Sequence, residues 1–192
     1  PHIHSEEYEN VTNTLDDNWV SPVGPDILKL EKEISKFNNY GYTAALSSGT
    51  SAIHLALVEL GVKPNDYVIC QSFTFVASAN PILYQHAIPI FIDSEPDTLS
   101  MDPEILESSL VSLLNDNIKP KAVIVAHIYG IPGKIYKIKK ICNKFNIPLI
   151  EDSAETLGST INNKKCGTFG DVGIFSFNGN KIITSGGGGA LI

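Results

Sequence analysis

Three stretches of this chain carry residue types that could do chemistry together. Ser48-Gly49-Thr50-Ser51 stands at the start of a helix-forming run. Unpaired backbone N–H groups and hydroxyls there would face one point, with the positive end of the helix dipole behind them. A phosphate would be held at such a turn, although Ser and Thr also serve as ordinary N-caps. Asp152 follows an apolar strand-like run, where its carboxylate would be partly buried and in need of a cationic partner, or would cap a helix starting near Ala154. Lys181 lies between the apolar 172–177 run and a glycine-rich segment. Desolvated there, a lysine becomes a nucleophile in its neutral form; exposed, it is an ordinary surface cation. Together the turn, the acid and the amine supply the phosphate cradle, the partner for a pyridine nitrogen and the Schiff-base lysine that a pyridoxal phosphate site needs.

Other signatures are missing. The 48–51 turn lacks the G-x-x-x-x-G-K-[ST] spacing of a P-loop, and Gly167-x-x-Gly170-x-x-Gly173 does not follow the dinucleotide fingerprint, which counts against an NAD-binding oxidoreductase. His54, His86 and His127 do not cluster as metal ligands, and no metal is expected. His54 reads as a packed or capped residue, while His127, directly after a strand, is a candidate neighbour of the site. Cys70, Cys142 and Cys166 are scattered and odd in number, so they suggest neither a disulfide framework nor a zinc site and fit a reducing cytoplasm.

These residues need a scaffold to position them. With 192 residues, 43% hydrophobic and 18% charged, the chain can bury one core. A net charge of −7 provides no basic stripe for nucleic acid, and no apolar run approaches the roughly 20 residues of a membrane-spanning helix. Short apolar runs alternate with amphipathic stretches, the pattern of strand–helix–strand units and a mostly parallel sheet. Strands are expected at 43–47, 67–71, 89–92, 121–126, 147–150, 172–177 and 190–192. Helices are expected at 26–38, 52–60, 74–85 with Pro81 kinking or delaying it, 103–114 and 134–145. The first of these helices places Ile27, Leu28, Leu30, Ile34 and Phe37 on one face. In such sheets ligands gather beyond the carboxyl ends of strands. Pro1 in place of an initiator Met, and an apolar end at Gly189-Ala190-Leu191-Ile192, read as a fragment of a longer chain.

The segments SSGTSAIHLAL, SFTFVASANPI, FIDSEPDTLSMDPE, VAHIYG, LIEDSAETLGS, GTFGDVGIFSFNGNKIIT and SGGGGALI occur in this order, with NWVSPVGP near the start. Over nearly the whole chain they resemble the nucleotide-sugar aminotransferases of the DegT/StrS type. The resemblance implies a fold-type I pyridoxal phosphate transferase. Its large domain is α/β, with a mostly parallel seven-stranded sheet flanked by helices. That domain would span 1–192, with an N-terminal segment 1–25, and the smaller C-terminal domain of the family would be absent. FSFNGNKIIT and the Glu of EDSAE are most similar to the 4-aminotransferases that make UDP-N-acetylbacillosamine and related acetamido sugars.

Residue by residue, the resemblance implies that Lys181 is the Schiff-base lysine and proton-moving base, and that Asp152 pairs with the protonated ring nitrogen. Thr50, the backbone at Ser51, and Ser176 would hold the phosphate, and Phe75 would stack on the ring. Glu155 falls where many relatives have His or Gln beside the ring hydroxyl; a carboxylate there is repelled unless protonated or turned away. The resemblance further implies glutamate as amino donor and a nucleotide-linked keto sugar as acceptor, of the 4-keto-6-deoxy acetamido kind, for surface glycans. It also implies a homodimer with shared active sites. Two other readings stay open. One is a pyridoxal phosphate-dependent sugar dehydratase, against which Lys181 counts because that branch carries His; the other is a non-catalytic or inactive fragment with the same fold.

Overall fold

The computed structural model describes residues 2–192. The chain begins with helices α1 (Ser5–Asp16) and α2 (Pro25–Asn38), strand β1 (Ala44–Leu46), α3 (Gly49–Glu59) and β2 (Tyr67–Gln71). A 3-10 turn (Val76–Ser78), α4 (Asn80–Tyr84), β3 (Ile88–Ile92), α5 (Pro103–Asn115), β4 (Ala122–Ala126), α6 (Ile135–Phe145) and β5 (Leu149–Asp152) come next. A hairpin of β6 (Thr160–Ile161) and β7 (Lys164–Lys165) then leads to β8 (Val172–Ser176) and β9 (Gly189–Leu191).

Seven strands form one sheet in the order β1-β9-β8-β5-β4-β2-β3. The pairs β2–β3, β2–β4, β4–β5 and β5–β8 are parallel, and β9 runs antiparallel to both β8 and β1. The sheet is therefore mostly parallel, as expected. The glycine-rich link between β8 and β9 carries no crossover helix, so β9 returns against β8.

All five residues of β4 are buried. A strand covered on both faces needs no polar alternation, which is why its sequence is continuously apolar. Successive side chains still point to opposite faces. Val123, Val125 and Leu149 pack with Leu106, Leu110, Ile138 and Cys142 of α5 and α6. Ala122, Ile124, Ile150 and Ile174 pack with Ile53 and Leu57 of α3 and Ile82 of α4. The same alternation parts two adjacent acids: Asp152, two residues on from Ile150, takes the α3 face, and Glu151, like Leu149, the α6 face.

Two expectations are corrected, and two elements were not anticipated. The 74–85 helix is divided into the 3-10 turn and α4, with Pro81 in the first turn of α4, where a missing N–H breaks no helical bond. Of the apolar face of α2 only Ile34 is buried, packed with Phe175, Phe177, Ala190 and Ile192; Leu28, Leu30 and Phe37 are exposed, and α2 also reaches β1, where Glu31 accepts the Ala45 N–H at 2.9 Å. Helix α1 and the β6–β7 hairpin were not read from the sequence. Helix α1 buries no residue, and the hairpin has only Asn162 and Asn163, both with positive φ, as its turn signal. Among the described residues no helix is long and apolar enough to cross a membrane.

Candidate active site

The carboxyl ends of β1, β2, β4, β5 and β8 border one cavity of about 540 Å3, and Thr50, Phe75, Asp152, Glu155, Ser176 and Lys181 all line it. Parallel strands ending on one edge make this convergence a consequence of the topology.

Helix α3 begins at the cavity. Ser48 is its N-cap, with extended backbone and a side-chain oxygen that accepts the Ser51 N–H at 3.0 Å. The Gly49 and Thr50 N–H groups precede the first intrahelical donor and have no acceptor within the helix. A Cβ on Gly49 would stand 3.0 Å from the Ser176 Cβ, so glycine lets the end of β8 abut the helix start. Ser51 stands apart from the other expected residues. Its N–H is taken by Ser48, its hydroxyl bonds those of Ser47 and Ser48, and it is not on the cavity wall.

Asp152 is 6% exposed. One oxygen accepts the Ser78 hydroxyl at 2.6 Å and the other the Ala154 N–H at 3.2 Å. A turn rather than a helix comes after it. Burial pushes its carboxyl above the ordinary value, against the pull of Ser78, the Ala154 N–H, Lys181 and His127. Among the described residues no cation lies within ion-pair distance of it. A buried carboxylate on a cavity wall with no cation of its own suits a ligand that brings a positively charged N–H.

Lys181 is 11% exposed at its side chain and lies 3.1 Å from Glu155 Oε1. Glu155 Oε2 accepts the Tyr129 N–H at 2.8 Å. The carboxylate is thus turned toward the lysine and a backbone donor. Phe75 is 72% exposed on the cavity wall and takes no part in the core.

The sequence profile of the DegT/DnrJ/EryC1/StrS aminotransferase family matches residues 1–192. The chain belongs to this family. EpsN of Bacillus subtilis (strain 168) is 48% identical over 192 residues, covering 100% of the chain and 50% of EpsN. GDP-perosamine synthase of Escherichia coli O157:H7 is 39% identical over 192 residues, covering 100% and 51%. The PLP-form structure of Spr1654 from Streptococcus pneumoniae superposes with a TM-score of 0.87 at 30% identity, covering 100% of this chain and 51% of that one; a PMP-form of Spr1654 is also known. The chain thus spans about half the length of the relatives it matches.

Two further features of this family member support the cavity wall. Ser78 was not read from the sequence, since nothing local placed it against an acid 74 residues away. His127 borders the cavity, but both its ring nitrogens are engaged: Nδ1 accepts the Gly133 N–H at 3.1 Å, which leaves Nε2 to donate to Glu151 Oε1 at 2.9 Å. Glu151 also accepts the N–H groups of Gly167, Phe169 and Gly170 at 2.6, 2.7 and 2.9 Å. Burial alone would raise its carboxyl, yet His127 and these donors hold it below the ordinary value. The 167–173 glycines serve this packing: a Cβ on Gly173 would fall 1.9 Å from the Gly167 carbonyl oxygen. Cys166 completes a trio of metal-ligand type with His127 and Glu151. Burial and the Glu151 charge push its thiol up to about 12, while the Glu151 oxygens are taken by the His127 ring and the three backbone N–H groups.

Proposed function

We propose that residues 1–192 form the cofactor-binding large domain of a pyridoxal phosphate-dependent sugar-nucleotide aminotransferase. One observation carries the reading: a buried Asp152 carboxylate without a cation and the shielded Lys181 amine face one cavity at the N-terminus of α3. Membership of the family, and the PLP- and PMP-forms of Spr1654, support the cofactor.

The residues present fit that group. The α3 N-terminal N–H groups, Thr50 and Ser176 would hold the phosphate, with Ser51 acting through the cap. Phe75 would lie on the ring, Asp152 would meet its nitrogen and Lys181 would attach covalently. When bound, pyridoxal phosphate supplies an exchangeable carbonyl carbon and a ring that accepts electrons. Asp152 holds a proton at the ring nitrogen. Lys181 Nζ takes and returns the proton that moves during amino transfer. Glu155 holds the lysine when it is free.

The donor is glutamate and the acceptor a nucleotide-linked keto sugar, of the 4-keto-6-deoxy acetamido kind, whose product enters surface glycans. GDP-perosamine synthase as a relative supports a nucleotide-linked sugar. A homodimer is part of this reading, and the exposed apolar side chains of α1, Tyr8, Val11 and Leu15, are in keeping with it. Three free, buried cysteines fit the cytoplasm.

The test is an absorption spectrum with added pyridoxal phosphate, borohydride reduction and peptide mass mapping, with Lys181→Ala as control. A visible band trapped on Lys181 and lost in the variant is expected. A full-length protein that shows no adduct on Lys181 overturns the reading.

A further inference from the structure

Ser78 is 1% exposed, in the 3-10 turn beyond β2. Its oxygen lies 2.6 Å from Asp152 Oδ2 and 2.9 Å from Thr74 Oγ1. An ionised carboxylate only accepts, so the single Ser78 proton goes to Asp152 and the Thr74 hydroxyl donates to Ser78. The two O–H bonds thus point the same way, an arrangement in which each strengthens the next. Thr74 and Ser78 also bracket Phe75, and the Ser78 N–H closes the turn on the Phe75 carbonyl at 3.0 Å. At the other end of the segment, the buried Gln71 side chain donates to the Phe73 carbonyl at 2.8 Å.

We infer that Ser78 is a positioning residue for the cofactor site: it keeps Asp152 oriented as an anion and, through Thr74, seats the segment that presents Phe75. The inference rests on the pyridoxal phosphate reading above. The charged and titratable groups around Asp152 are Lys181 beyond β8, His127 beyond β4 and Cys70 on β2. Burial and the Asp152 charge push the Cys70 thiol up to about 12, so it stays neutral. Burial raises the Asp152 carboxyl, and the Ser78 hydrogen bond is the leading influence against it. Without Ser78 the carboxyl takes up its proton at a higher pH, and the partner for a cationic ring nitrogen is lost there.

The test is spectroscopic titration of pyridoxal phosphate into the full-length protein and its Ser78→Ala, Ser78→Cys and Ser78→Thr variants. Each is followed from about pH 5 to 8, with the melting temperature of the cofactor-free protein measured alongside. In Ser78→Ala the acid limb of binding is expected to move up by about one pH unit, with affinity about tenfold weaker on that limb. Ser78→Cys, similar in shape with a weaker donor, moves it part of the way, and Ser78→Thr returns it. Variants that melt earlier but keep the wild-type limb, or a threonine variant that behaves like alanine, overturn the inference while Lys181 is still trapped. No adduct in any protein overturns the cofactor reading, and this inference with it.

Discussion

Lys181 Nζ and Glu155 Oε1 form an ion pair at 3.1 Å, while the second Glu155 oxygen holds the Tyr129 N–H at 2.8 Å. One carboxylate thus ties the loop after β8 to the turn after β4. Tyr129 has φ 53°, a left-handed conformation that costs a bulky residue about 1 kcal/mol or more and persists only when its surroundings hold it. Glu155 is part of that hold.

The two contacts can be separated by substitution. Glu155→Ala removes both and is expected to cost about 1–2 kcal/mol in denaturant unfolding. Glu155→Gln keeps an amide oxygen for the Tyr129 N–H and loses only the charge, so it is expected to cost about half as much. Equal losses would show that Glu155 does not hold the turn.

Glu151 supports the site from the opposite face of β5. Its four close donors are three backbone N–H groups and the His127 ring. In Glu151→Gln an amide NH2 is forced against donors that need an acceptor, and a loss of about 3 kcal/mol is expected. Chemical unfolding at neutral pH measures it; a loss under about 1 kcal/mol would mean that the 167–170 loop holds its shape unaided.

Acid stability depends on a third carboxylate. Glu95 is buried in the loop after β3; burial alone would raise its carboxyl, but Lys134, Thr98 and the Asp97 N–H bring it from 4.5 down to about 2. A carboxyl lower in the folded chain stabilises above its unfolded value, and that stability is lost as pH falls through the folded value. Wild type is therefore expected to lose stability between pH 4.5 and about 2 more steeply than Glu95→Gln. Glu151 contributes with the same sign in the variant, so the limb flattens without vanishing. Asp152, raised by burial, acts with the opposite sign. Parallel slopes in the two proteins would overturn the assignment to Glu95.

Much of the site was legible because a parallel sheet gathers the residues at and just beyond the carboxyl ends of its strands. Asp152 ends β5, Ser176 ends β8, and Thr50 stands in the first turn of a helix entered straight from β1. Strand alternation alone would have sent Glu151 and Asp152 to different layers. Ser78 and the Tyr129 N–H were not legible, since each meets its acid only through the tertiary fold, 74 and 26 residues away. Nor could the periodicity of α2 tell that only Ile34 is covered. An apolar stripe shows which side of a helix avoids water; whether this chain or another surface covers it is decided outside the helix.

Two glycines at the link into β9, Gly187 on the cavity wall and Gly189 against the start of α3, separate fold from ligand binding most sharply. A Cβ on Gly189 would fall 2.4 Å from the Gly49 nitrogen and from the Ser48 carbonyl carbon, both backbone atoms, whereas one on Gly187 would meet nothing within 4 Å. Gly189→Ala is therefore expected to push the start of α3 away from β9 and to cost about 2–3 kcal/mol, while Gly187→Ala stays within about 0.5 kcal/mol of wild type. If the α3 N-terminus holds the phosphate, Gly189→Ala also weakens pyridoxal phosphate binding under conditions where the variant is still folded, because the displaced N–H groups no longer converge. Spectroscopic titration on the folded variant decides this. Unchanged affinity beside a lowered stability would leave the helix start with a capping role and place the phosphate on other donors.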